Sequence, residues 1–335
     1  MVPQAERTAM LRPLALAILL TSMLCAAAQD PAPASSVITP PSAAQRATAQ
    51  LQIRLDRAGF TVGFIDGQRG SRSDHALADY RKARGIESGK VEEALAKEIV
   101  APPWTFYTVT TGDLARVDKA PADWQEASLI PRMACTSLVE ALSETFHCSP
   151  RLLQRLNPAE KSWDAATVGR TLCVPNVLPP PPLPHAARLE IDCQTFRIRA
   201  FDAAGALVAS FPVSIAADRA RVPKGALKIA AFAPDPTYVF DPDNFPESAR
   251  ARAIGRKLIL PPGPNNPVGV FWMSLSRPGF GLHGTPHPET IGRPESHGCF
   301  RMTNWDVQRL GKIVETATPL EVINTRPSVV PEEQP

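Results

Sequence analysis

Long hydrophobic runs are almost absent from this sequence. The apolar run at residues 14–24 is shorter than the roughly twenty residues of a transmembrane helix, and no later segment is apolar enough to span a membrane. Arg7 and Arg12 precede this run, and three alanines at 26–28 follow it. Because this order is typical of a secretory signal peptide, we expect residues 1–28 to be cleaved and the protein to be exported to the periplasm or the cell wall. An uncleaved membrane anchor is the alternative.

An excess of charge of one sign is also lacking. Lys and Arg number 36 and Asp and Glu number 33, so the formal net charge is only +3, and nucleic acid is not indicated as a partner. Proline, in contrast, occurs 36 times, and its clusters mark where modules end. The length suggests about two domains. The composition therefore fits an exported, modular protein.

Cysteine is scarce, and its number is informative. Of the six cysteines, Cys25 lies in the signal segment, which leaves Cys135, Cys148, Cys173, Cys193 and Cys299. Outside the cytoplasm four of these can pair, and one must stay free. The odd count fits a reactive Cys299, although it does not choose among the three pairings of the other four.

The stretch 281–306 holds the residues best suited to nucleophilic chemistry. Gly298, directly before Cys299, lets a substrate carbonyl approach the thiol and leaves backbone N–H groups accessible as oxyanion donors. A thiol is mostly protonated near pH 7, and His283 is the simplest group to activate it. In an extended segment Arg301 faces the same side as Cys299, where it could hold a carboxylate or carbonyl of the substrate.

This stretch closely resembles the active-site signature of L,D-transpeptidases of the YkuD type. The residues that carry the resemblance are HGT at 283–285, SHGCFRM at 296–302, Asn304, Asp306, and PNNPVG at 264–269, with Val268 where the family commonly has leucine. The resemblance implies a mainly-β catalytic domain, which we place at residues 187–325. It also implies a variable insertion beside the cleft, here at residues 232–263.

The mechanism that the resemblance implies is acyl transfer through a thioester. Cys299 attacks the carbonyl of the L-centre residue of a peptidoglycan tetrapeptide stem, and D-Ala leaves. An amine of a neighbouring stem then attacks the acyl-enzyme and gives a 3→3 crosslink. His283 is the general base, and the carbonyl of Gly284 can orient its ring. The amides of His297, Gly298 and Cys299 are the candidates for the oxyanion hole.

Further roles follow from the same resemblance. His297 shapes the site, although an exchange of roles with the base stays open. Arg301, Ser296 and Asn304 are assigned to substrate binding, and for Arg301 a structural salt bridge with Asp306 is an equal alternative. Carbapenem-type β-lactams are expected inhibitors, because their carbonyl mimics the acyl donor.

Other interpretations of these residues remain open. A lone cysteine is often an inert apolar residue. His283 and His287 have the i, i+4 spacing of a helical zinc pair, but Pro286 and Pro288 forbid a regular helix there, so we expect neither a metal nor a cofactor. Within the same family, a carboxypeptidase, a crosslink-cleaving enzyme or an enzyme that attaches proteins to the wall is possible. A non-catalytic adaptor that binds the wall is the hypothesis of a different class.

The region before the catalytic domain divides into two parts. After a linker at 29–43, residues 44–101 show helical periodicity, and GFTVGFIDG at 59–67 resembles the core of the three-helix peptidoglycan-binding domain. A helical spacer that binds nothing is the alternative.

Residues 104–177 resemble a LysM module in the order strand, helix, helix, strand, stretched by extra residues around 118–132. Three cysteines fall inside this module, and a disulfide staple is expected in so small a core. A Pro-rich linker at 178–186 follows, and the tail at 326–335 is expected to be disordered. The fold class predicted for the whole chain is thus multidomain α+β. We expect residues 44–177 to tether the enzyme to the wall and to contribute nothing to its chemistry.

Overall fold

The computed structural model describes residues 39–87, 89–244, 249–296 and 298–325. The predicted signal peptide, most of the first linker, the C-terminal tail and His297 lie outside the described residues. All the described residues belong to one compact unit, Ile38–Pro335. Within the described ranges, no helix combines the length and the apolar character needed to cross a membrane.

The N-terminal region (44–101) is helical. It contains α1 (Ala43–Arg57), α2 (Ser71–Arg84) and α3 (Val91–Glu98). A capping box starts α1, because the Ser42 side chain accepts a hydrogen bond from the Gln45 amide while the Gln45 side chain accepts one from the Ser42 amide. Gly85, with φ of 60°, ends α2 in the left-handed conformation that glycine tolerates.

The middle region (104–177) has the expected order of strand, helices and strand. Its elements are β1 (Trp104–Thr108), α4 (Thr111–Leu114), α5 (Trp124–Ala127), α6 (Leu138–Thr145), α7 (Pro150–Leu156) and β2 (Thr171–Pro175). The two strands pair antiparallel along their whole length. The expected disulfide staple is not present, because the five cysteines that the structure describes are all unpaired.

The C-terminal region (187–325) is mixed α+β. Its strands are β3 (Arg188–Asp192), β4 (Arg197–Phe201), β5 (Leu207–Pro212), β6 (Ile215–Ala216), β7 (Gly225–Pro234), β8 (Tyr238–Phe240), β9 (Leu258–Leu260), β10 (Phe271–Leu275), β11 (Gly281–His283), β12 (Pro294–Ser296), β13 (Phe300–Arg301) and β14 (Pro319–Ile323), and its helices are α8 (Ala249–Ile254) and α9 (Asn304–Gly311). One sheet has the strand order β13-β11-β10-β7-β14-β3-β4-β5. The sheet places β11 and β13 side by side at one end, and β5 lies at the other.

The loop at residues 59–65 joins the three regions. The Thr61 amide donates to the carbonyl of Ser210, and the Ser210 amide donates to the carbonyl of Gly59, both at 2.9 Å, so the loop pairs with the edge strand β5. Ile65 pairs in the same way with the middle region at Cys148. Such pairing covers an edge that would otherwise be free to bind another strand. The motif that resembles a wall-binding core is therefore largely buried.

A buried polar network fixes α9 to the two upstream regions. The carboxylate of Asp56 accepts hydrogen bonds from Arg309 and from His147, each at 3.1 Å. The ring of His147 in turn stacks on Trp305, with ring centroids 5.1 Å apart. Burial raises the pKa of Asp56, but the interactions with His147 and Arg309 outweigh burial, and the net shift is downward.

These contacts show that the three described regions pack against one another. The domain boundaries stay a prediction, but the described regions are not separate bodies joined by a spacer. A single apolar cluster contains residues of all three regions, including Phe60, Leu153 and Phe201. Even the Pro-rich stretch packs, since a Cβ on Gly59 would lie 2.5 Å from the side chain of Leu183. The expectation that residues 44–177 tether the enzyme to the wall and contribute nothing to its chemistry stays a prediction, but these residues pack against the catalytic region.

The network predicts the effect of a single substitution. Asp56→Ala leaves the buried guanidinium of Arg309 and the ring of His147 without their carboxylate, so we expect it to lower the free energy of unfolding by about 3–5 kcal/mol. Chemical denaturation of the full chain measures this change. Glu93→Ala is the matched control, because Glu93 forms an exposed pair with Lys97 on α3 and should have almost no effect. Equal effects of the two substitutions would contradict the role given to the network.

Candidate active site

Two short parallel strands bring the predicted catalytic residues to one face. In the register of β11 and β13, Leu282 lies opposite Phe300 and His283 lies opposite Arg301. Leu282 and Phe300 are fully buried in the core. Because side chains alternate along a strand, His283 and Arg301 point to the opposite face, together with Cys299 just before β13.

The thiol of Cys299 is half-buried and held in a short turn. Its Sγ lies 3.5 Å from the carbonyl oxygen of Gly279. Ser296 closes the turn, since its hydroxyl donates to the Cys299 carbonyl at 2.5 Å and accepts from the Gly298 amide at 3.2 Å. Burial raises the pKa of the thiol, and the Gly281 amide and the charge of Arg301 lower it only in part. The sulfur therefore needs a base to become a nucleophile near neutral pH.

His283 is suited to be that base. Its ring is buried and stacks on Trp272, with centroids 5.4 Å apart. Nδ1 lies 2.7 Å from the Gly284 carbonyl oxygen, the contact expected from the sequence. Burial lowers the pKa of His283 to about 4; the bond to Gly284 opposes this shift, and the charge of Arg301 adds to it. With Nδ1–H donating to the carbonyl, the neutral ring keeps a lone pair on Nε2 to accept a proton.

Arg301 is not engaged in the structural salt bridge that was the alternative for it. Asp306 is fully buried elsewhere, where it accepts a hydrogen bond from the Thr61 hydroxyl at 2.9 Å. No Asp or Glu of the described residues lies within 4.0 Å of the Arg301 guanidinium. This cation on the same face as Cys299 can therefore bind an anionic group of a ligand.

Tyr238 is a site residue that the sequence analysis missed. It lies on β8, which pairs antiparallel with β9. Burial raises the pKa of its phenol, the charge of Cys299 raises it further, and that of Arg301 lowers it. These interactions indicate that the phenol lies within electrostatic range of both groups. The sequence did hold a signal for Tyr238. It is one of only three tyrosines, and it lies in the insertion expected beside the cleft.

Asn304 was expected to bind the substrate, but it does not face the cleft. It is 2% exposed, and its amide nitrogen donates to the Pro264 carbonyl at 3.2 Å and to the carboxylate of Glu144 at 3.3 Å. Its Oδ1 accepts from the Val270 amide. A Cβ on Gly284 would lie 2.2 Å from that oxygen, so the glycine of HGT is required by packing. Asn304 thus stabilises the backbone segments around the site through its hydrogen bonds.

Ser296, a predicted substrate-binding residue, and His287, considered only as a zinc ligand, lie outside the centre of the site. Ser296 is buried beneath the cysteine turn and does not face a substrate. His287 is exposed and pairs with Glu289 at 3.4 Å, and this hydrogen bond raises the pKa of the ring. No group of three or more His, Cys, Asp and Glu side chains within the described ranges could hold a metal ion.

A half-buried thiol and a neutral imidazole on one face of a mixed sheet are an arrangement suited to acyl transfer. Residues 186–322 match the model of the YkuD family, the L,D-transpeptidase catalytic domain. This part of the chain is therefore similar to the L,D-transpeptidase catalytic domain, and an acyltransferase is the class of enzyme that this similarity supports.

Individual relatives agree with this assignment. The putative L,D-transpeptidase YkuD of Bacillus licheniformis is 25% identical over 184 residues, which cover 55% of this chain and 92% of that protein. The protein of the same name from Bacillus subtilis is 24% identical over 180 residues, covering 54% and 90%. The solved Ldtfm–avibactam carbamoyl enzyme is 18% identical, and the match covers 42% of this chain. Its TM-score is 0.33, which is too low to support the assignment. The chain spans about half the length of that solved chain, 49%.

The low pKa of His283 predicts the pH dependence of acylation. The ring is a base only when neutral, so the rate constant should be flat from roughly pH 5 to 8 and fall as the pH drops through about 4. Stopped-flow acylation of the full chain by a carbapenem measures the profile. A limb near the ordinary histidine pKa of about 6.5 would contradict the buried neutral ring.

A pair of substitutions identifies which ring is responsible. His283→Ala should slow acylation by about 10²–10⁴-fold, the usual contribution of a general base. His287→Ala removes the same group from an exposed position and should cost far less. Equal losses would contradict the assignment of the base.

Proposed function

We propose that this protein is an exported cysteine acyltransferase that forms 3→3 crosslinks between peptidoglycan tetrapeptide stems. The observation that supports the proposal is the parallel register of β11 and β13, in which His283 lies opposite Arg301, two residues beyond Cys299. The match of residues 186–322 to the L,D-transpeptidase catalytic domain supports the same reaction class.

The first half-reaction forms a thioester. Nε2 of His283 takes the thiol proton while Sγ of Cys299 attacks the carbonyl between the L-centre residue and the terminal D-Ala. The C–N bond breaks, and D-Ala leaves as an amine that takes the proton back from His283. In the second half-reaction the amine of a neighbouring stem attacks the thioester carbonyl, and the thiol is regenerated. Water in place of that amine would give a carboxypeptidase.

The oxyanion that forms during each attack needs donors. The Gly298 amide is already engaged by Ser296, so the amide of Cys299 is a better candidate among the described residues. The Tyr238 hydroxyl, which is within electrostatic range of the thiol, is a second candidate. Removing one oxyanion donor typically costs about 10²–10³-fold in kcat.

Wall binding by the upstream regions is a weaker part of the proposal. The motif at 59–67 is largely buried among the three regions, so it does not support binding through that motif. Phe106 on β1 is 76% exposed and offers an apolar surface in the LysM-like region. We propose that any contact with glycan uses this region.

Cys299→Ala tests the proposed nucleophile. The substitution should abolish turnover of disaccharide-tetrapeptide, because no other group can form the thioester, while the melting temperature stays nearly unchanged. A carbapenem should add its mass to the wild type and not to the variant in intact-protein mass spectrometry. Cys173→Ala, which removes another partly buried thiol, on β2 of the middle region, controls for general damage. A carbapenem adduct on the Cys299→Ala protein would contradict the proposal.

A further inference from the structure

Glu144 of the middle region contacts the catalytic region through Asn304. It lies on α6, one turn after the fully buried Ala141, so the two residues share a face of the helix. The two carboxyl oxygens of Glu144 lie 3.3 and 3.4 Å from Nδ2 of Asn304, although the two residues are 160 positions apart in the chain. Glu144 takes no part in the proton transfers proposed for Cys299 and His283.

The side-chain amide of Asn304 has a partner for each of its polar groups. An asparagine amide offers two N–H donors and one carbonyl acceptor. The Pro264 carbonyl accepts one N–H at 3.2 Å, Glu144 accepts the other, and Oδ1 accepts from the Val270 amide at 3.3 Å. Without Glu144, one N–H of a residue that is only 2% exposed would lose its acceptor. Glu144 therefore completes the set of contacts that fixes the orientation of this amide.

The orientation of the amide matters because its oxygen packs against the backbone that holds the base. A Cβ on either Gly269 or Gly284 would clash with Oδ1 of Asn304, so the oxygen lies against the Cα atoms of both glycines. Gly284 carries the carbonyl that lies 2.7 Å from Nδ1 of His283. A rotated amide would put the larger NH₂ group in this space and would displace the backbone of Gly284. The ring that accepts the thiol proton would then turn away from its productive position.

Glu144 is a neutral partner for this amide near neutral pH. Burial raises the pKa of Glu144 to about 8; the hydrogen bond from Asn304 and the charge of Arg116 oppose this shift, and the charge of Glu140 adds to it. The protonated carboxyl still accepts from Asn304 through its carbonyl oxygen. A glutamine side chain has the same shape and the same kind of oxygen. Glutamine should therefore replace Glu144, whereas alanine should not.

We propose that Glu144 is a positioning residue of the active site, which acts through Asn304 to hold the Gly284 carbonyl against the ring of His283. The middle region thereby contributes to catalysis, in contrast to the expectation that residues 44–177 contribute nothing to the chemistry. The inference rests on the proposed function, because it requires His283 to be the base for Cys299.

Stopped-flow acylation of the full chain by a carbapenem near neutral pH tests the inference. The experiment separates the saturating rate constant, the apparent Kd and the amplitude. Glu144→Ala should lower the rate constant about tenfold, because a misplacement of about 1 Å can cost up to about 10²-fold. The apparent Kd should change little, since Glu144 acts through Asn304 and not on the ligand. Loss of folded protein would lower the amplitude and leave the rate constant unchanged.

Two further variants separate positioning from general damage. Glu144→Gln should keep the wild-type rate constant, because it keeps the acceptor. Glu140→Ala is the matched control, because it removes a carboxyl from the same helix that accepts from Thr136 and not from Asn304. It should also keep the wild-type rate constant. In an Asn304→Ala background, Glu144→Ala should cause no further loss, because residues that act as one unit are not additive.

The outcomes distinguish the inference from the proposed function. If Glu144→Ala does not fold, Glu144→Met fills the space without the acceptor and carries the test. A wild-type rate constant in the folded Glu144→Ala or Glu144→Met protein overturns the inference, and so does an equal loss in Glu144→Gln. A folded wild type that the carbapenem does not acylate would instead overturn the proposed function.

Discussion

The site depends on the register of two very short parallel strands, β11 and β13. A shift of one residue would turn His283 and Arg301 into the core and expose Leu282 and Phe300. Strands this short do not fix their own register, so the surrounding packing must do so. The helix α9 begins three residues after Arg301 and is tied to Asp56 by Arg309. The position of the nucleophile is thus coupled to the N-terminal region.

The electrostatic environment of the site favours a neutral thiol and a neutral imidazole over a thiolate–imidazolium ion pair. Burial raises the pKa of the Cys299 thiol and lowers that of the His283 imidazole. Both shifts have the same cause, since a buried group loses the solvation of its charged form. A protonated thiol and a neutral imidazole are the starting state for proton transfer during the attack. The nearby guanidinium of Arg301 favours the neutral imidazole, because it disfavours a second cation on His283, and it also lowers the pKa of the thiol.

The sequence was most informative where chemistry demands particular residues. Cys299, His283 and the Gly284 carbonyl could be placed from the motif, because few residues can serve as thiol, base and close-packed backbone. Contacts made across regions could not be read in the same way. Ser296 and Asn304 belong to the motif as supports, and only packing distinguishes a support from a ligand-binding group.

The modular interpretation failed for a related reason. The glycines and apolar residues of the loop at 59–67 fit a small independent domain equally well, because local patterns show what is buried and not what buries it. Trp124 and Tyr238 lie far apart in the chain, and their contact at 6.4 Å appears only in the folded protein. Proline clusters suggested a spacer where the structure has packed chain.

The most direct test of the central claim is the product that the purified full chain makes from disaccharide-tetrapeptide. Tandem mass spectrometry with a donor labelled in its terminal D-Ala follows both halves of the reaction. The account predicts a crosslinked dimer that has lost one labelled D-Ala and joins the third residues of the two stems. Release of the label with only the tripeptide as product would contradict the crosslinking activity, and retention of the label in all products would contradict acyl transfer at Cys299.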